Sequence, residues 1–372
     1  MRVALISTNM FEYCVEYAEM LAESCDVLLC LQEKEIANTD FVNQRVQIAT
    51  FHWPRHREPS NLILIYKLLT RIKAWNPDIV HFLGETTIWL NLLPPLLPRV
   101  PIVITVHDIQ CHPGDRESQR MPRVFIELFI RQADAVIVHG ETLRTAALAK
   151  LPVKEGSLFV FPHVPIYYFA RLAARNMLVK KDDGLFRVLF FGRIYEYKGL
   201  KYLVDAAPQL LPRLASLRII IAGDGDDLVN GKLRVTSTET FDVRNRFIPA
   251  VEVAQLLTDA DVMVLPYIEA SQSGVLMVAL AFGLPVVATD VGEIGEAVKT
   301  TGAGIVIPPR DSTALAEAIH ELATNTPLRL ALARNAANAM REGLSNKTLA
   351  ARAKEIYQSV LAAYHAKLKR RN

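Results

Sequence analysis

The segment Arg187-Val188-Leu189-Phe190-Phe191-Gly192-Arg193-Ile194-Tyr195-Glu196-Tyr197-Lys198-Gly199 decides how the chain is read. Its apolar run, Val188 to Phe191, suits a strand buried on both faces of a parallel sheet. Gly192 ends that run, Arg193 follows at once, and Lys198 stands near an expected helix start. This puts two fixed cations at the carboxyl edge of the sheet, where open α/β sheets bind ligands. Arginine offers a planar fork and lysine a point charge. With a helix N-terminus beside them, the set suits a diphosphate, above all one that gains charge as it departs. A lysine at a helix start opposes the macrodipole, and a nearby anion would account for it.

Outward from this segment, short β-branched runs alternate with amphipathic stretches, the signature of parallel α/β layers. Strands are expected in the first half at 3–6, 27–31, 79–82, 102–106 and 135–138, with helices at 14–23 and 62–74. The second half predicts strands at 188–191, 217–222, 246–248, 262–265, 286–288 and 305–307, then helices at 313–324, 327–342 and 346–369. The rhythm thins between Pro162 and Gly184, which reads as a linker. The division is therefore a Rossmann-like domain at 1–170, a linker at 171–186, a second Rossmann-like domain at 187–345 and a closing helix at 346–372. Two such halves are expected to face each other across a cleft, and ligand sites favour such places.

Composition narrows the function. At 372 residues the chain is long enough for two cores. Its 51% hydrophobic and 22% charged residues are those of a globular protein. A net charge of +3, without a long basic block, argues against nucleic-acid binding. Cys14, Cys25, Cys30 and Cys111 form no CxxC pair and read as thiols in a reducing cytosol. No signal peptide is evident, and the most apolar stretch, 89–106, is broken by four prolines.

Other motifs gather at the same sheet edges. Gly223-Asp224-Gly225-Asp226-Asp227 follows a strand; since the basic clamp already neutralises phosphate, it reads as a solvated turn, with no metal expected. Ser271-Gln272-Ser273-Gly274-Val275 enters an apolar helix that ends at Gly283, so its free amides form an anion-binding helix start, capped by Ser271 or Ser273. Gly292-Glu293-Ile294-Gly295-Glu296 makes a second acidic turn at that edge. In the first half, Thr105-Val106-His107-Asp108 ends a strand in a histidine–aspartate pair suited to hydrogen bonding or proton transfer.

These residues resemble the GT-B glycosyltransferases of the retaining family four, the glycosyl transferases group 1. The likeness runs from about Val188 to Pro309 through Phe191-Gly192-Arg193, Lys198-Gly199, Ala222-Gly223-Asp224-Gly225, Ala260-Asp261-Val262, Ala281-Phe282-Gly283-Leu284-Pro285 and Val306-Ile307-Pro308-Pro309. It continues more sparsely through Pro77-Asp78-Ile79-Val80-His81, Thr105-Val106-His107-Asp108 and Ala133-Asp134-Ala135-Val136-Ile137-Val138. The resemblance implies transfer of a sugar from a nucleotide diphosphate donor to a hydroxyl acceptor with retained configuration, no cofactor or metal, and a last helix that crosses back to the first domain. It implies that Gly192, Arg193, Lys198, Ser271, Gln272, Ser273, Gly274 and Val275 hold the donor, with Phe247 and Ile248 at its base. His107 would approach the transferred sugar, and Asn9, Met10, Phe11 and Asp108 would face the acceptor.

The sequence departs from the family in two places. The usual pair of glutamates is replaced by Ala270 and Val278; Glu269, one residue away, would substitute if its loop shifts. The glycine-rich loop after the first strand is replaced by Ser7-Thr8-Asn9-Met10-Phe11. The missing glutamates keep open a degenerate, nucleotide-binding scaffold protein, and a sugar-nucleotide epimerase would share the fold. A dehydrogenase is disfavoured, since the first βα turn lacks GxGxxG. Finally, Pro54-Arg55-His56-Arg57 precedes apolar 62–69, and Arg116, Arg120, Arg123 and Arg131 flank 124–130. Basic flanks around apolar helices suit an anionic membrane surface and a lipid-linked or other glycan acceptor, which predicts a cytoplasmic protein, membrane-peripheral if these helices dock.

Overall fold

A computed structural model describes residues 1–7, 10–38, 42–55, 58–84, 88–97, 99–109, 122–225, 228, 235 and 238–370. Two units emerge. The first contains the described residues of 1–109, 122–164 and 344–370, and the second those of 165–343.

The first unit is built on a seven-stranded parallel sheet: β1 Arg2–Ile6, β2 Asp26–Gln32, β3 Val46–Phe51, β4 Ile79–Phe82, β5 Ile102–Thr105, β6 Ala135–Val138 and β7 Leu158–Val160, in spatial order β3-β2-β1-β4-β5-β6-β7. Val3, Ala4, Leu5 and Ile6 are completely buried because β1 lies inside the sheet, between β2 and β4, with Leu5 paired to both Leu29 and His81. The strand order reverses between β1 and β4, which opens the crevice where doubly wound sheets bind ligands.

The closing helix Asn346–Lys369 belongs to this unit. Leu349, Ala353, Ile356, Val360 and Tyr364 recur at helical spacing and form its buried stripe, which packs on helix Phe11–Leu21. Ser345 Oγ caps it by accepting from Thr348 N at 3.3 Å. The helix delivers Tyr357 into the core, where its hydroxyl meets His81 Nδ1 at 2.7 Å and the Tyr17 hydroxyl at 3.1 Å. Removing that hydroxyl leaves two buried polar groups short of a partner. Tyr357→Phe should therefore lower unfolding free energy by ~1–3 kcal/mol in urea titrations.

The second unit repeats the topology with β8 Phe186–Phe191, β9 Leu217–Gly223, β10 Phe241–Asn245, β11 Val262–Leu265, β12 Val286–Thr289 and β13 Gly304–Ile307, in order β10-β9-β8-β11-β12-β13. All the strand pairs are parallel, and the order reverses between β8 and β11.

Several expectations are corrected. The strand expected at 246–248 lies upstream, at Phe241–Asn245. It is an edge strand with half-buried residues, so it lacks the unbroken apolar run that announces the buried strands, whereas Phe247-Ile248 belongs to the turn beyond. Strands Val46–Phe51 and Leu158–Val160 were not anticipated, and both are edges of the first sheet. The linker expected at 171–186 is partly helical: Tyr168–Arg175 packs on helix Ala250–Asp259, and β8 already begins at Phe186. The first division between the units falls at Val164/Pro165 instead of residue 170.

Candidate functional site

In the second unit the loops after β8, β9 and β11 meet through backbone. A Cβ on Gly223 (φ 151°) would lie 1.8 Å from Gly192 O, and one on Gly199 (φ 67°) 1.9 Å from Pro266 O. Only glycine permits these approaches. Gly223 and Gly225 thus support the Gly192–Ile194 loop, which refines the solvated-turn reading; Asp226 and Asp227 lie outside the described residues. Gly199→Ala should displace Lys198 from its seat, with a loss of ~2 kcal/mol or more in stability and reduced ligand affinity, read by denaturation and calorimetry.

Lys198 ends a turn of 3₁₀-helix, and Gly199 starts helix Leu200–Leu210. The ammonium lies 3.9 Å from the ring centroid of Tyr267 and 4.9 Å from that of Tyr197, both buried. Burial opposes its charge, and the two tyrosines more than offset that, so its pKa is raised. The Arg193 guanidinium is near enough to act the other way. Arg193 itself is exposed, 5.6 Å from the Tyr195 ring centroid. Two like charges are therefore held close together at one sheet edge.

Helix Gly274–Phe282 begins beside them, since a Cβ on Gly192 would sit 3.3 Å from Val275 Cγ2. Ser273, not Ser271, caps it: Ser273 Oγ accepts from Leu276 N at 3.2 Å and lies 3.2 Å from the Tyr267 hydroxyl. Tyr267 thereby connects the lysine to the helix mouth. Helical geometry leaves the Gly274 and Val275 amides without intrahelical acceptors, a donor pair suited to phosphate oxygens. The helix ends at Gly283 (φ 69°), whose left-handed conformation lets Leu284 N donate to Ala279 O at 2.9 Å.

The remaining residues of this region have different settings. Ser271 O accepts from Glu293 N at 3.1 Å, tying the loop to helix Gly292–Thr301. Gln272 Oε1 is buried with no hydrogen-bond partner, and Glu269 is exposed. Val278 is 3% exposed and packs inward, so no carboxylate stands at that helix position. Ile248 is buried, whereas Phe247 is 81% exposed, a free aromatic face at the end of β10. Among the described residues no three His, Cys, Asp or Glu are grouped to hold a metal ion.

In the first unit, His107 is 6% exposed beyond β5. Its Nε2 lies 3.3 Å from Leu83 O and its Nδ1 3.1 Å from His139 Nε2. His139 and His163, beyond β6 and β7, join it, and the Tyr13 ring packs edge-on against all three. Burial is the leading cause that lowers the pKa of His107, while Asp108 and Leu83 O pull it back up. Phe11 is buried at the start of its helix. Met10, half-exposed at the same turn, adopts φ 53°, the left-handed conformation a glycine would take without strain. Asn9 lies outside the described residues.

The sequence reading missed Tyr197, Tyr267, His139 and His163. His139 carries a signal: like His107, it stands directly after an expected strand, whereas His163 follows Leu158–Val160, a strand the pattern does not reveal. The tyrosines carried none, because nothing in the pattern told a lysine-cradling ring from a core ring.

The first half of the chain matches the family model Glycosyltransferase Family 4 over residues 11–164, and the second half matches Glycosyl transferases group 1 over residues 186–325. The chain is 27% identical over 265 residues to alpha-D-kanosaminyltransferase of Streptomyces kanamyceticus, covering 66% of this chain and 67% of that protein. It is 24% identical over 314 residues to the UDP-Gal:alpha-D-GlcNAc-diphosphoundecaprenol alpha-1,3-galactosyltransferase of Escherichia coli, covering 81% and 79%. Among solved structures, Anabaena HepE in complex with UDP-glucose superposes with a TM-score of 0.68 at 18% identity, covering 96% of this chain and all of that one. That last likeness speaks to fold alone.

Proposed function

Because the chain belongs to the GT-B glycosyltransferases of family 4, the glycosyl transferases group 1, we propose that it moves a sugar from a nucleoside diphosphate donor to a hydroxyl acceptor with retention of anomeric configuration. The observation that carries this reading is the pairing of Arg193 and Lys198 beside the mouth of helix Gly274–Phe282. Such a set binds the donor diphosphate and gains strength as the sugar–oxygen bond breaks and negative charge grows on the leaving phosphate. The departing phosphate oxygen takes the acceptor's hydroxyl proton on the face where the new bond forms. The protein's work is then orientation and charge stabilisation, with no metal step required. Phe247 offers its exposed ring to the base, and His107 faces substrate in the first unit. One relative points to uridine: the galactosyltransferase of Escherichia coli takes its sugar from UDP-Gal. Proton NMR of the product made from a UDP-sugar tests the reading; an inverted anomeric coupling contradicts retention. The buried Val278 favours a second reading, a binding protein without turnover. Donor consumed in a purified sample eliminates it.

For the acceptor we propose a lipid-linked glycan met at an anionic surface. No helix among the described residues is long and apolar enough to cross a membrane. Leu62, Ile63 and Tyr66 are instead exposed on helix Asn61–Trp75, and Val124 and Leu128 on Arg123–Gln132, with Lys67, Lys73 and Arg131 exposed alongside. Both helices pack on the 88–92 turn and share the first unit's core through Leu68 and Phe129. Phe129 and Ile130 point inward, so the interfacial face expected at 124–130 narrows to Val124 and Leu128. Arg116, Arg120, His56 and Arg57 lie outside the described residues. The protein should cosediment with anionic liposomes at low salt, and Ile63→Glu with Tyr66→Glu should weaken this at least ~10-fold. Equal cosedimentation with neutral liposomes would contradict the proposal.

A further inference from the structure

The carboxyl edge of the first sheet holds more imidazole than one substrate-facing histidine needs. One continuous chain of contacts runs from Leu83 O to His107 Nε2 (3.3 Å), from His107 Nδ1 to His139 Nε2 (3.1 Å), and from His139 Nδ1 to Phe161 O (2.9 Å). A carbonyl oxygen only accepts, so His139 carries its proton on Nδ1. A neutral His139 then has a bare Nε2, and His107 must donate to it from Nδ1. That leaves His107 Nε2 bare as well, although it faces a carbonyl oxygen. The three contacts call for three protons, and two neutral rings supply two. The shortfall falls on the longest contact, at 3.3 Å, where two lone pairs repel least.

We propose that His139 is a positioning residue that fixes His107 in its Nδ1–H tautomer, so that His107 Nε2 is the proton-accepting atom this unit presents. When a proton arrives at Nε2 from water, the pair goes from two protons to three, gains one positive charge and completes the Leu83 contact. The groups around the pair set when this happens. Burial holds both rings neutral, and the neighbouring imidazoles of His163 and His81 reinforce that for His139. Asp108 and Leu83 O favour a proton on His107. Tyr13 contributes only a ring edge to His107, His139 and His163, and its own proton is held tightly by burial.

This inference rests on the reading of His107 as substrate-facing, but its test uses the protein alone, without donor or acceptor. Nitrogen-15 spectra of histidine-labelled protein at pH 7.5 distinguish a protonated ring nitrogen from a bare one. The expected spectrum shows both His139 and His107 as Nδ1–H. In His139→Gln the amide NH₂ replaces the bond to Phe161 O and the amide oxygen accepts from His107, so the tautomer of His107 is kept. In His139→Phe the acceptor is gone, and His107 turns to Nε2–H, donating to Leu83 O. Turnover then falls roughly 10-fold or more in His139→Phe at unchanged KM, and His139→Gln restores it. His107 found as Nε2–H in the unsubstituted protein overturns the proposal whatever the variants do. So does a His107 tautomer that ignores the loss of His139 in a folded His139→Phe protein.

Discussion

Arg193→Ala and Lys198→Met are each expected to lower turnover at least ~100-fold, about 3 kcal/mol of barrier. The loss belongs to the transition state. A leaving diphosphate gains charge only as the bond to the sugar breaks, so a cation that meets it contributes more there than in the ground state. The two residues should differ in the remainder. Arg193 is exposed, and its removal should leave thermal stability within ~0.5 kcal/mol of the starting protein. Lys198 is wedged between Tyr197 and Tyr267, so alanine would leave a hole among aromatic rings. Methionine keeps the stem and removes only the charge. Steady-state kinetics with a UDP-sugar, alongside circular dichroism melts, separate the two effects. Turnover within a few-fold of the starting protein in either variant contradicts the clamp.

Mild acid should destabilise the first unit steeply. His81, His139 and His163 are buried and held neutral, His81 and His163 with pKa values pushed down to about 3. Burial is the leading cause in each case, joined by the repulsion that charged neighbouring imidazoles would add. An unfolded histidine titrates near 6.5. Above that pH both states are neutral and the rings cost nothing. Below it the unfolded chain takes up protons the folded protein cannot, so stability falls by ~1.4 kcal/mol per pH unit per ring. Three rings give ~4 kcal/mol per unit, and the loss continues down towards pH 3 for His81 and His163. Melts between pH 7 and pH 5 should therefore drop by roughly 10–20 °C. The carboxylates with lowered pKa, among them Asp183, Glu252 and Glu317, begin to lose their contribution only as pH falls through the ordinary carboxylate range, so the histidine effect is read above it, between pH 7 and pH 5. His163→Gln should flatten the slope by about one ring's share. A melting temperature that stays level from pH 7 to pH 5 contradicts this account of the histidine cluster.

How far the sequence could be read followed burial. Central strands such as Val3-Ala4-Leu5-Ile6 and Val262-Met263-Val264-Leu265 are covered on both faces, and their unbroken apolar runs announced them. The strands at Val46–Phe51, Phe241–Asn245 and Leu158–Val160 are sheet edges, with one flank open and mixed residues, so periodicity alone missed or displaced them. The cations at Arg193 and Lys198 were legible because they follow a strong strand and a glycine. Their support was not. Tyr267 acts through a fold that brings the loop after β11 against the loop after β8, and no local spacing records that contact. The histidine chain also joins residues 24 and 32 positions apart, from strands that only the topology makes neighbours. Met10 shows the opposite case: the absence of glycine suggested a different loop, yet the backbone there still takes the left-handed turn.

The most direct test is calorimetric titration of UDP, GDP, ADP and dTDP into the unsubstituted protein, Arg193→Ala and Lys198→Met. The account predicts that one of these diphosphates binds the unsubstituted protein, that added salt weakens it, and that each substitution lowers affinity at least ~10-fold. Binding that persists undiminished in both variants, or no binding of any of the four by folded protein, would contradict an anion site at the mouth of helix Gly274–Phe282.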